Sequence, residues 1–408
     1  MRRVAVTGIG VVSPLGMGAN AFFDALAAGR SGIGVLAIDG PRPLATRIGA
    51  CVDFDAAMHF PAAKLRMLDR VSQFALVAAA EAIAQSQGAL EGDRTRMGVF
   101  VGTGMGGART TDESYRTLYE AGCDRLKPFS VLLAMANAPC AWIAMDNGIA
   151  GPSLSYSCAC ASSAVAIGEA FRAIARGDCD VAIAGGAEAP LTFGTIRAWE
   201  ALRTLAAEDP LDPCASCKPF SKDRSGLVLG EGAAMFVLED RERAAARGAT
   251  ILGELAGYGI CTDVSHITRP TAQAQARALR LAMREAGLTA EQIGYVNAHG
   301  TGTQANDSVE TAALHSVLAG RAKDVPVSST KSMHGHLLGA AGALEFAATL
   351  NALRSHLLPP TMHLAQPDPA CDLDYVPNAA RRVPPFEAAL SNSFAFGGTD
   401  AVLAVRAA

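Results

Sequence analysis

The chain has 408 residues, half of them hydrophobic and 18% charged, with a formal net charge of −4. That length provides for a large buried core and for two or three domains by size alone. The low charge and abundant glycine and alanine exclude a disordered or fibrous chain, and the lack of basic excess argues against nucleic-acid or anionic-membrane partners.

The predicted elements alternate between strand and helix. Two arginines precede the first apolar run, as in a secretory leader. Thr7, Gly8 and Gly10 interrupt the run and no small-residue cleavage site follows, so it reads as a first buried strand at Val4–Val6. A helix follows near Ala21–Ala28. Met97–Val101 is a strand ending in GTGMGG, and Asp180–Ala184 is another, ending in GGAEAP. Met235–Leu238 precedes the charged helix DRERAAARG. The pattern then restarts with strands at Ile251–Leu255, Tyr295–Asn297 and Val325–Ser328. Such alternation predicts mostly parallel sheets covered on both faces. No apolar run is long enough for a membrane span. The ten cysteines are scattered, and Cys51, Cys140, Cys179 and Cys261 sit in apolar surroundings, as expected of reduced, buried thiols in a cytoplasmic protein.

Two stretches repeat one design. SLSYSCACASSAVAIGEAFRAIARG and VPVSSTKSMHGHLLGAAGALEFAATLNALRS each read as a strand, a turn and a helix lined with small residues on every face, a composition typical of buried helices. Two topologically similar halves are expected, 1–248 and 249–408, packed intimately because no Pro- or Ser-rich linker separates them.

Four motifs could carry chemistry. Cys160 lies where a strand gives way to a buried helix. A helix N-terminus lowers a thiol pKa and favours the thiolate, although a small core cysteine is an equally good reading of this segment alone. His299 follows a strand end and precedes a Gly/Thr loop, a suitable place for an acid, base or donor, or else for a core histidine bonded to backbone. Lys331, His334 and His336 stand at the mouth of the second buried helix, where a lysine is costly unless paired or functional. Two histidines without clustered acids are weak grounds for a metal. Finally, the loop Phe394-Ala395-Phe396-Gly397-Gly398 could offer backbone N–H groups to an oxyanion, or be an ordinary hairpin. Gly102-Thr103-Gly104-Met105-Gly106-Gly107 matches a dinucleotide fingerprint, but no acid closes a second strand about 20 residues on. Cys214 and Cys217 form a CxxC with no second pair for zinc.

In this order and spacing the four motifs resemble the β-ketoacyl-acyl-carrier-protein synthases of the Cys-His-His group. AVTGIGVVSPLG, KPFSKDRSGLVLGEGA, GTGTQANDSVE and STKSMHGHLLGAAGALE extend the likeness over nearly the whole chain. The resemblance implies an α/β thiolase-like fold, with two pseudo-repeated halves in a five-layered α-β-α-β-α arrangement. It also implies decarboxylative Claisen condensation of an enzyme-bound acyl group with malonyl-acyl-carrier protein, without metal or other cofactor. By the same resemblance Cys160 is the nucleophile, and His299 and His336 bind the malonyl carbonyl. Lys331 supports them electrostatically, Glu345 and Asp307 are supporting acids, and Phe396 completes the oxyanion hole and gates the acyl pocket. Thr301 and Thr303 touch the pantetheine arm, and Met105 and Phe394 contact substrate.

The implied partner is an acidic acyl carrier protein, docked on Arg66, Arg197, Arg125 and Lys127. A homodimer is expected, with a heterodimer with a related subunit as the alternative. Cys158, Ala395, Asp400 and Asn306 depart from the usual Thr, Gly, Asn and Gly, as in a divergent member serving a polyketide or polyene pathway. Ala395 in place of glycine would cost about 1 kcal/mol or more if the loop needed a left-handed residue there. A non-catalytic chain-length factor would lack Cys160, a thiolase would carry a second cysteine near Gly397, and a type III synthase would have Asn at 336.

Overall fold

The computed structural model describes all residues, 1–408. Ten strands form one continuous path. They are β1 (Val4–Ser13), β2 (Met97–Gly102), β3 (Ser153–Tyr156), β4 (Val181–Glu188), β5 (Gly232–Asp240), β6 (Gly253–Thr262), β7 (Ile293–Asn297), β8 (Val327–Ser328), β9 (Ala388–Phe394) and β10 (Thr399–Arg406). Their spatial order is β8-β7-β9-β10-β6-β1-β5-β4-β2-β3. From the centre outward each arm repeats the same pairing. On one side β1 and β5 are antiparallel, β5 and β4 are antiparallel, and β4-β2-β3 are parallel. On the other, β6-β10 and β10-β9 are antiparallel and β9-β7-β8 are parallel. β1 and β6 join the arms at Val4–Val6.

The sheet is therefore mixed, where strand–helix alternation predicts mostly parallel pairing. The cause is local. β9 and β10 are joined by only four residues, Ala395–Gly398, and a connection that short closes an antiparallel hairpin, whereas a parallel return needs a long crossover.

Four helices supply the other layers. α1 (Arg70–Gln85) covers the outer face of the β1–β5–β4 arm, and α3 (Ala272–Ala286) covers β6 and β10. α2 (Ser162–Arg176) and α4 (Ala341–Ser355) lie between the arms and pack on each other. Alanine, glycine and serine dominate both, which lets their backbones approach. A Cβ added to Gly342 would stand 3.0 Å from that of Ala164 and 2.7 Å from Ser393 Oγ. The result is five layers, with the principal apolar core around α2 and α4. The functional consequence is that the N-termini of the two most buried helices, and the loops feeding them, meet inside the molecule. No helix is long and apolar enough to cross a membrane.

Candidate active site

Cys160 sits in a three-residue 3₁₀ turn, Ala159–Ala161, directly before α2. Ala159 has φ +47°, a strained value for a residue with a Cβ, and the resulting sharp turn aims Cys160 into a cavity. His299 follows β7. Its own N–H and that of Gly300 donate to the buried Glu310 carboxylate, each at 2.8 Å, which fixes the loop. His336 is fixed through its backbone, with its N–H on Val228 O at 2.6 Å and its carbonyl accepting from Gly230 N–H at 2.9 Å.

These loops bring Cys160 Sγ, one ring nitrogen of His299 and one of His336 within 4.8 Å of one another. His336 Nε2 is 3.0 Å from the sulfur, and the two imidazoles meet edge to face. Both are fully buried beside the Lys331 ammonium. Burial first, and Lys331 second, hold both far below the ordinary histidine pKa, so both are neutral.

The tautomers follow from the neighbours. Leu338 N–H donates to His336 Nδ1 at 3.2 Å, so that nitrogen accepts and the ring proton is on Nε2. Lys331 Nζ lies 3.4 Å from His299 Nδ1 and imposes the same choice there. Lys331 is itself held by the His299 carbonyl at 2.6 Å and by Glu345. Two Nε2–H donors therefore face the space beside the thiol.

The thiol departs from expectation. A helix N-terminus is expected to lower its pKa, but burial pushes Cys160 up to about 12, against the pull of Lys331 and of the nearby Phe396 backbone N–H. Desolvation is the largest cause because the sulfur is almost fully enclosed. The resting group is the neutral thiol, and the thiolate forms only where donors converge on it. By donor type Cys160, His299 and His336 suit a soft divalent ion, but the adjacent Lys331 ammonium opposes a second cation there.

The cavity beside Cys160 is also lined by Thr301, Thr303, Asn306, Phe394, Ala395, Phe396 and Asp400, and by the facing loop Asp263–Pro270. The Thr301 and Thr303 hydroxyls are 2.8 Å apart, and Phe394 packs edge-on to His299. Gly397 and Gly398 carry the positive φ values of the Phe396 loop. Ala395 does not, so the cost assigned to alanine there is not incurred.

Other expected residues lie apart. Asp307 is buried but accepts from Phe220 N–H at 2.8 Å, bracing a neighbouring loop rather than the thiol. The Met105 side chain is exposed and lines no part of this cavity. Arg66 and Lys127 line two adjoining exposed grooves, and Arg125 joins them in the second. Arg197 is elsewhere, engaged by Glu200 at 2.7 Å and by the Pro43 carbonyl. The apolar setting expected of Cys51 also fails, since that thiol is exposed beside Glu231.

Two acids escaped the sequence reading. Glu310 holds the His299 loop. Glu188, fully buried, accepts from the N–H groups of Gly104 at 2.6 Å, Met105 at 3.0 Å and Gly339 at 2.8 Å. Those bonds satisfy the glycine-rich loop that mimics a dinucleotide site, whose amides are thus turned inward. A lone carboxylate ending an apolar strand, as in GGAEAP, was the available signal.

The chain matches the family models described as Beta-ketoacyl synthase, N-terminal domain, over residues 1–244 and Beta-ketoacyl synthase, C-terminal domain, over residues 252–365. It belongs to the β-ketoacyl synthase family. Nodulation protein E of Rhizobium meliloti (strain 1021) is 42% identical over 406 residues, 99% of each chain. The 3-oxoacyl-[acyl-carrier-protein] synthase 2 of Synechocystis sp. is 39% identical over 99% of this chain and 98% of the relative. Among solved structures, a β-ketoacyl synthase from Burkholderia phymatum STM815 covers all of both chains with TM-score 0.92 and 36% identity. A type II PKS acyl-carrier protein in complex with its ketosynthase bound to the hexaketide gives TM-score 0.92 and 32% identity over 100% of this chain and 99% of that one. The enzyme is a 3-oxoacyl-acyl-carrier-protein synthase of the thiolase-like superfamily, an acyltransferase that forms carbon–carbon bonds.

Proposed function

We propose that Cys160 carries the growing acyl chain and that His299 and His336 bind the malonyl thioester carbonyl. The observation that carries this reading is the pair of neutral imidazoles with Nε2–H groups facing one space beside the sulfur. The Cys160 sulfur attacks the acyl thioester. The tetrahedral oxyanion is stabilised by backbone N–H groups that include that of Phe396, and the pantetheine thiol leaves with the proton lost by Cys160. Malonyl thioester then enters. Breaking its carboxylate C–C bond releases CO2 and leaves the electron pair on an enolate, whose oxygen accepts from the two Nε2–H donors. The enolate carbon attacks the acyl carbonyl, and the Cys160 sulfur departs as the β-ketoacyl product forms. Phe396 gates the acyl pocket, and Thr301 and Thr303 receive the pantetheine arm.

The partner in this reading is an acyl carrier protein docked at the Arg66–Lys127 groove. A second subunit, a copy or a relative, covers the edge strand β3, where Leu154 is exposed. Ten unpaired cysteines support a cytoplasmic location. Intact-mass analysis after mixing with an acyl-carrier thioester should show one acyl adduct mapping to Cys160 and none in Cys160→Ala. An adduct at another residue refutes the assignment.

A further inference from the structure

The ring of Phe396 faces one aromatic neighbour. Trp199, in the helix Phe193–Leu202, lies with its ring centroid 6.1 Å from that of Phe396 and its plane only 25° off parallel. Trp199 is itself half-buried against Ile196, Leu227, Leu229 and Leu338. Two of those residues belong to the site wall. Leu227 lines the Cys160 cavity, and Leu338 supplies the N–H that sets the His336 tautomer. One side of the indole is thus anchored to the site wall, and the other meets Phe396, which lines the same cavity as Cys160.

The rest of the loop is held by backbone bonds, Ala395 N–H to Thr399 O and Gly398 N–H to Ala395 O, each at 3.0 Å. Gly397 N–H bonds to Ile267 O at 2.8 Å, and a Cβ at Gly397 would touch nothing within 4 Å. Gly398 is pinned, since its carbonyl accepts from Asp263 N–H at 2.7 Å and a Cβ there would lie 2.1 Å from Asp263 O. Gly397 is thus the roomier pivot of the two, and movement of Phe396 about it gives up the stacking on Trp199 together with the Gly397–Ile267 bond.

The geometry points to Trp199 as the latch of the Phe396 loop, a positioning residue that sets how readily the acyl pocket admits its chain. This rests on the gating role proposed for Phe396. An offset aromatic pair contributes enough to change the open population roughly two- to tenfold. Truncation should therefore raise the rate of Cys160 acylation by long-chain donors by about that factor and leave decarboxylation of malonyl thioester unchanged.

The test uses the full-length enzyme. Only Trp142 and Trp199 are tryptophans, so Trp142→Phe leaves Trp199 as the sole indole. In stopped flow with hexadecanoyl-acyl-carrier protein, its emission should change before or with the mass shift at Cys160, and Phe396→Ala should abolish that change. Trp199→Ala should speed long-chain acylation, and Trp199→Phe should restore the slower rate. Silent emission, or equal losses in acylation and decarboxylation in Trp199→Ala, overturns the latch; the latter outcome would mean that the indole only supports Leu338 and His336. The gating premise is tested separately. If Phe396→Ala leaves the acyl-length profile unchanged, the gate fails. If it shifts the profile while Trp199 variants do not, the gate stands without this latch.

Discussion

Replacing His299 and His336 by alanine in turn should separate the two half-reactions unequally. Each loses an Nε2–H donor to the enolate, and removing one preorganised donor of this kind costs roughly 10²- to 10³-fold in rate. Decarboxylation should fall by that factor in both variants. Acylation should not. His299 makes no hydrogen bond to the sulfur, and in His299→Ala the Lys331 ammonium keeps the backbone carbonyl of residue 299 and Glu345. His336 Nε2 is 3.0 Å from Sγ, and losing a hydrogen bond to a charged sulfur costs about 1.5–3 kcal/mol, or roughly 10- to 100-fold in acylation. The Leu338 N–H is also left without its acceptor. Single-turnover mass spectrometry reads acylation, and CO2 release from malonyl-acyl-carrier protein reads decarboxylation. Equal slowing of acylation in the two variants, or near-wild-type CO2 release by His299→Ala, would refute the division. The wild-type pH profile gives a second check. Both rings stay neutral well below pH 6.5, so decarboxylation should show no acid limb near that value.

Three further outcomes are expected. Burial, with Asp263 and Glu310, raises Asp400 to about 8, so the folded state holds its proton more tightly than the unfolded chain, and stability falls as pH rises from about 4 to about 8. Asp400→Asn should match wild type in thermal melts at pH 4 and exceed it at pH 8.5, by an amount on the order of a few kcal/mol; no gain at high pH would show that the carboxyl is not desolvated. His334 is fully buried, its ring between Thr330 Oγ1 at 2.9 Å and Gly335 O at 2.8 Å, so His334→Thr should lower stability by about 1–3 kcal/mol yet keep decarboxylation, and a loss matching that of His336→Ala would contradict this. Arg66→Glu should raise KM for a carrier-bound substrate several-fold, less at high salt, and spare a pantetheine mimic, whereas equal effects on both substrates would mean damage to the site.

The sequence made the strand–helix rhythm, the two small-residue helices and the Cys, His and Lys of the site legible because each leaves a local mark: an apolar run, an Ala/Gly face, or a costly polar group beside one. Sheet direction was not legible, because it depends on connections such as Ala395–Gly398 whose shortness matters only once both flanking strands are known to be neighbours. Glu188 and Glu310 were missed for a related reason. Their partners are backbone amides of other elements, 10 and 11 residues away for Glu310 and as far as Gly339, 151 residues away, for Glu188. The thiol pKa was misjudged because the dipole at a helix start can be read from sequence, whereas enclosure of the sulfur by the opposite half cannot.

The repeated arm explains why residues 176 apart in sequence meet at 3.0 Å. The 3₁₀ turn Ala159–Ala161 leads into a 15-residue helix, and so does Leu338–Ala340. The first residue of each turn has nearly the same left-handed φ, +47° at Ala159 and +45° at Leu338. Cys160 in one turn thus corresponds to Gly339 in the other, and the two are treated oppositely. Gly339 N–H is bonded to Glu188, and a Cβ at Gly339 would lie 2.6 Å from that carboxylate and 2.2 Å from Gly104 N, so the second turn is filled by an internal acid and has no room for a side chain. Around Cys160 the corresponding space stays open, lined by Phe396, and receives the His336 ring. One strained turn, built twice, is plugged in one copy and left as a reactive pocket in the other. With Cys160 in its proposed role, the asymmetry between the halves comes from which copy contains the acid, with the backbone geometry kept in both.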